Sequence, residues 1–214
     1  MGKLISENAV VIASNFNPSI LDKFWLIKQG IIAEDEFKDG SLYTPQVVQV
    51  ETDNYQLLSV PDRLQLSFKN PKLDNNIYLN KVFGGIIKTL PHTPYKAVGF
   101  NLIWHSGISA SEKICEITRN LFISKKNIVA KHFEDQDAHF GVFMSKSVDS
   151  MRMNLEIKPN FKKPNQLQAT FNFHKELTED YVVKIMDAFE KWNKTKTIAN
   201  DIIATLEEEV ESCL

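Results

Sequence analysis

The hydrophobic patterning predicts an α+β fold, with an antiparallel sheet carrying helices on one face. Three observations predict it. Segments that alternate apolar and polar residues come in groups of three, separated by short turn-rich stretches. Segments of helical period flank each group. The resulting order, β-α-β-β-β-α, occurs twice, with a seam at His92 to Pro94. The halves are residues 1–93 and 94–196, followed by a helical extension over 197–214, and together they are expected to form one compact unit.

In the first half, Ala9 to Ala13 is a short β-branched run and reads as a strand. Asn17-Pro18 follows as a helix start, because the Asn oxygen can accept an orphan N–H and Pro is pre-organised for the first helical position. Ile20, Leu21, Phe24, Trp25 and Ile27 hold the helical period, and Gly30 closes it. The acidic stretch from Glu34 to Thr44 reads as a loop. Val48 to Glu51, Tyr55 to Val60 and Leu64 to Phe68 alternate and are joined at Asp53-Asn54 and Pro61-Asp62, a meander with one buried face. Leu79, Val82, Phe83, Ile86, Ile87 and Leu90 then mark an amphipathic helix ended by Pro91. Gly84-Gly85 inside it implies close packing.

The second half repeats the order. Val98, Phe100, Leu102 and Trp104 mark a strand, and Ser109 with Glu112 a capping box for a helix through Phe122. Strands around Phe140–Met144, Met151–Ile157 and Leu167–Phe173 follow a polar loop. Thr178 is the expected cap of the last helix. That helix meets no Pro or Gly up to Leu214, and a polar stretch from Lys191 to Lys196 suggests a break. Ile202, Leu206 and Val210 lie on a second apolar stripe beyond it, a candidate surface for a partner or a second copy. By analogy of topology alone, the duplicated order is like the helix-on-saddle arrangement of TATA-binding-protein-like folds, and a fold does not fix a function.

Composition narrows the classes. Of 214 residues, 43 % are hydrophobic and the formal net charge is -2, which fits a globular chain and gives no global attraction to nucleic acid or anionic membrane. No apolar run approaches the roughly 18 residues of a membrane span, and residues 1–7 lack a signal-peptide core. Two cysteines, Cys115 and Cys213, make no disulfide framework, which points to the cytoplasm.

Leu90-Pro91-His92-Thr93-Pro94 followed by Ala97, Gly99 and Asn101, together with Phe16-Asn17-Pro18, Trp25-Leu26, Glu51-Thr52-Asp53 and Pro61 to Gln65, resembles a sporadically distributed family of uncharacterised bacterial proteins. The resemblance covers about residues 9–105. It implies a bacterial, cytoplasmic setting and carries no catalytic residues.

Nucleophile elbows, phosphate loops and Cys-x-x-Cys pairs are absent from the text, so no cofactor is expected. His132, Glu134, Asp135, Asp137 and His139 cluster in a polar loop, and His132, Asp135 and His139 are the candidate metal ligands. Their spacing matches neither a helical pair nor a facial triad, which favours a solvated loop. His105 ends a strand before Ser106-Gly107 and is the candidate general base or ligand-binding residue, with Tyr95 and Trp104 as possible pocket walls. Short basic groups occur at Lys125-Lys126 and Lys162-Lys163. The expected polar sheet face carries Gln49, Glu51, Gln65, Lys69, Arg152, Asn154, Glu156, Gln166, Gln168, Thr170, Asn172 and His174. It is nearly charge-balanced, which argues against nucleic acid.

The expectation is a non-catalytic binding or scaffold protein acting through the polar sheet face, a sheet edge or the C-terminal helix, with a homodimer as one form. The alternative is a small-molecule binder or enzyme with a pocket between sheet and helices. A cavity of a few hundred Å³ lined by a His favours the alternative.

Overall fold

Alternation of buried and part-exposed residues runs through almost every strand of the computed structural model, which describes residues 2–71, 74–107, 114–124, 126–135, 137–163 and 165–212. The strands are β1 (Lys3–Ala13), β2 (Leu42–Tyr43), β3 (Val48–Glu51), β4 (Tyr55–Val60), β5 (Arg63–Phe68), β6 (Tyr95–Gly107), β7 (Val142–Val148), β8 (Met151–Pro159) and β9 (Gln166–Glu176). Among the described residues they form one nine-stranded sheet in the order β2-β3-β4-β5-β1-β6-β9-β8-β7. Neighbouring strands run antiparallel: Val50 faces Leu57, Leu57 faces Leu66, and Ala9 faces Leu66 from the other side. The fold is therefore α+β on a large antiparallel sheet. No helix among the described residues is long and apolar enough to cross a membrane.

The helices are α1 (Lys23–Lys28), α2 (Asn76–Tyr78), α3 (Gly84–Thr89), α4 (Ile114–Phe122), α5 (Tyr181–Glu190) and α6 (Trp192–Ser212). Asn17 caps as expected, accepting the Ser19 N–H at 3.2 Å, but only for a 3₁₀ turn over Pro18–Leu21. The α-helix starts one turn later, where Asp22 accepts the Trp25 N–H at 2.7 Å. Gly30 ends it with a φ of +67°. The expected helix over 79–90 is broken: a π turn, Leu79–Phe83, separates α2 from α3. Thr178 does not cap α5. Asp180, in the left-handed region at φ 48°, precedes its first residue. The break before α6 is the single residue Lys191, between Glu190 and Trp192. The Ser109–Glu112 box, Lys125 and Cys213 lie outside the described residues.

β1 starts six residues before the expected strand. Its polar stretch Ser6-Glu7-Asn8 hid it, and Glu7 is buried at 1 % exposure, where its carboxylate accepts from the Asn75 amide. A buried carboxylate needs such a partner.

The chain forms two compact units. One comprises residues 1–5, 102–172 and 196–214, hereafter unit 1, and the other residues 6–101 and 173–195, unit 2. In unit 2 the Trp192 ring meets Phe68 and Phe100 edge-on at 5.3 and 5.0 Å. In unit 1 Trp104 and Phe171 stack edge-on at 5.6 Å, beside buried Leu102, Met153, Leu155 and Ile157. Edge-to-face pairs of this kind add to the area each ring buries.

Candidate functional site

In unit 1 the period of two places one set of residues inward and the next outward. Trp104, Leu155, Leu167 and Phe171 are buried, while His105, Asn154, Gln168 and Thr170 on the same strands keep partial exposure. The outward set is hydrogen-bonded within itself. Gln168 Nε2 donates to Thr170 Oγ1 at 3.3 Å, and Ser145 Oγ donates to Asn154 Oδ1 at 2.6 Å. Arg152 Nε donates to Ser145 Oγ, also at 2.6 Å.

A cleft of about 400 Å³ opens where this face meets the turn between β8 and β9. His105, Lys158, Asn160, Phe161, Lys163 and Gln168 line it. The turn is held by its own backbone: Asn160 N–H donates to Gln166 O at 2.8 Å, and Lys163 N–H to Asn160 O at 2.9 Å. Asn160 Oδ1 accepts the Lys162 N–H at 3.0 Å, an Asx turn that points its amide nitrogen at the imidazole. His105 Nε2 then lies 3.4 Å from Asn160 Nδ2 and 3.3 Å from Gln168 Oε1. Lys158 pairs with Glu156 at 2.9 Å, whereas Lys162 and Lys163 form no ion pair among the described residues. The cleft is cationic. Phe161, 74 % exposed, stands at its rim with its ring 5.4 Å from that of His139.

Of the candidate catalytic, ligand-binding, metal and partner residues, His105 alone lies in this cleft, joined there by Gln168 of the polar face and the Lys162-Lys163 pair. Trp104 is next to it in β6, so alternation turns it to the opposite face. There it lines a separate hollow with Gly2, Leu4 and Lys196. Tyr95 is buried and its hydroxyl donates to Leu90 O at 3.1 Å. Burial pushes that hydroxyl up to about 12. Neither residue walls the His105 cleft, and the cleft lies between sheet and turn, not between sheet and helices. His132, Asp135 and His139 are exposed, and among the described residues no three His, Cys, Asp or Glu side chains converge on a metal position. Leu206 and Val210 are buried within unit 1 at 8 % and 3 % exposure, and Ile202 is part-exposed. Ile202 and Leu206 line an apolar hollow of about 390 Å³ with Leu121, Phe122, Val142 and Met144.

Asn160 and Phe161 escaped the sequence reading. The signal was there in part, since Asn160 to Lys163 joins two alternating segments, but only its two lysines were read. No protein-family model matches the chain, and no curated protein is significantly similar to it.

Proposed function

We propose that the chain is a non-catalytic binding protein acting through protein–protein contacts, and that the polar face of unit 1 receives a second copy of the chain. The observation that carries this reading is the pre-ordered row of amides and hydroxyls on that face: His105 with Gln168, Gln168 with Thr170, and Asn154 with Ser145. Amides both donate and accept, so such a face is complementary to itself about a two-fold axis. Arg152 and Lys158 are balanced in part by Glu156, which limits repulsion between copies. Light scattering over a concentration series tests it, with the double variant Asn154→Asp/Gln168→Glu beside the parent. Parent dimers and a folded monomeric variant support the reading. A parent that stays monomeric throughout, or a variant that dimerises equally well, overturns it.

A second reading is a small-molecule binder, favoured by the cleft of about 400 Å³ that His105 lines. The finer fold reading is an internal duplication with TATA-binding-protein-like topology. The sheet order supports it, because β3-β4-β5-β1 and β7-β8-β9-β6 follow the same order inward, with β1 next to β6 and β2 as an extra strand outside β3. The bacterial family that residues 9–105 resemble, and a cytoplasmic setting, belong to the same reading.

A further inference from the structure

His105 Nε2 stands between a donor and an acceptor, and it can serve one of them. Each amide's orientation is set by its other bond. Asn160 Oδ1 is held by the Lys162 N–H, so the nitrogen faces the ring. Gln168 Nε2 is engaged with Thr170 Oγ1, so the oxygen faces the ring. When Nε2 carries a proton it donates to Gln168, and the Asn160 N–H is left to another acceptor. When Nε2 is bare it accepts from Asn160, and Gln168 Oε1 loses its donor. One polar group of the trio always looks elsewhere. In the first state that group is a donor beside Lys158, Lys162 and Lys163 in a cleft of about 400 Å³. A phosphate oxygen satisfies it and meets the lysine charges. The exposed Phe161 ring, with His139 beside it, offers a flat apolar surface within the same rim. Base–aromatic stacking uses such a surface.

We infer that the His105 cleft binds a free phosphate-bearing planar aromatic, of the size of a nucleoside monophosphate. His105 donates to Gln168, Asn160 Nδ2 donates to the phosphate, and Phe161 stacks on the ring system. The volume admits one such ligand. This rests on the small-molecule reading and deepens it.

Isothermal titration of the full chain with AMP, inorganic phosphate, adenosine and a short oligothymidine strand tests the inference, alongside the variants Asn160→Asp and Phe161→Ala. Aspartate keeps the oxygen that accepts the Lys162 N–H but removes the donor and adds a negative charge. The turn therefore survives, and an unchanged melting temperature checks it. The expected result is one AMP bound per chain, more tightly than phosphate or adenosine. Asn160→Asp weakens AMP at least about tenfold, the weight of one hydrogen bond to a charged group, and Phe161→Ala weakens AMP and adenosine alike. AMP binding equally well to Asn160→Asp overturns the assignment of the donor. Adenosine binding as tightly as AMP overturns the anion while leaving a small-molecule cleft in place. Silence of all four probes overturns the inference, and silence of a wider set of neutral planar compounds at His105 removes the small-molecule reading too. A strand that binds far more tightly than AMP, with a steep salt dependence, overturns the free-ligand form in favour of nucleic acid.

Discussion

Glu36 in unit 2 shows how one side chain ties a loop to the core. Its Oε1 accepts the Ala33 N–H at 3.0 Å and the Lys81 ammonium at 2.6 Å, and its Oε2 accepts the Tyr55 hydroxyl at 3.2 Å. Burial pushes the carboxyl up, but the Lys81 hydrogen bond, the Ala33 N–H, the Lys81 charge and the Tyr55 hydroxyl outweigh it. The group titrates below its ordinary 4.5. The same contact, with burial as the larger cause, drives the Tyr55 hydroxyl up. A carboxyl depressed in the folded state stabilises the protein above its unfolded value, and that stabilisation is lost as pH falls through the folded one. Glu36→Gln should therefore lower the unfolding free energy near neutral pH by about 1 kcal/mol, as expected of a part-exposed ion pair with hydrogen bonds. The gap between parent and variant should close as pH drops below 4.5. Urea melts at about pH 7 and about pH 3 read both quantities. A gap of equal size at the two values would show that the contact is not the ionised pair described.

Gly84 and Gly85 open α3 after the π turn, and their surroundings differ enough to separate them. A Cβ on Gly84 would lie 3.3 Å from Met186 Cε, the far end of a flexible side chain of α5. A Cβ on Gly85 would lie 3.0 Å from Ile31 Cγ1, part of a β-branched side chain buried after α1. Ala in place of Gly in a helix interior gains about 1 kcal/mol. Gly84→Ala should keep most of that gain, because a thioether end moves readily. Gly85→Ala should be net destabilising by about 1 kcal/mol, because overpacking against a stiff neighbour exceeds the propensity gain. Thermal unfolding of the two variants gives the order, and the reverse order sinks the packing argument. The close approach was legible from two glycines in a helical stripe; the neighbours were not, since Ile31 and Met186 are distant in sequence. The same limit governs the site. Strands β3, β4 and β5 were readable because each alternates and each turn has its own chemistry. His105 was readable as a polar strand end. Its partner Asn160 lies 55 positions away, and only the pairing of β6 with β9 brings them together. Thr178 misled because a good capping residue sits near a helix start that Asp180 occupies through backbone conformation alone.

At the scale of the whole molecule, α6 decides whether unit 1 has a core. Its apolar stripe, read from sequence as a partner surface, is turned inward: Ala199, Ile203, Leu206 and Val210 are all buried. Gly2 lies against the same helix, where an added Cβ would come within 2.5 Å of Ile203 Cγ2. Ser106 Oγ donates to Glu207 Oε1 at 3.0 Å, which gives one member of the acidic run at the helix end a partner inside the unit. Three large aliphatic side chains at about 1.5–3 kcal/mol each, with Ala199 besides, amount to roughly 5–9 kcal/mol of burial. Total stabilities of about 5–15 kcal/mol leave little after that loss. A chain ending at Lys196 should consequently lose cooperative unfolding and amide protection in residues 102–172. A folded monomer with an intact transition would show instead that the stripe is dispensable and free to serve a partner. Leu206→Ala in the full chain gives the graded form of the test, with an expected loss of about 2–3 kcal/mol from a site where neighbours can partly collapse. If the truncated chain unfolds and Leu206→Ala loses that amount while the parent's oligomeric state is unchanged, α6 is a core element, and any self-association must come from another surface, the polar face of unit 1 foremost.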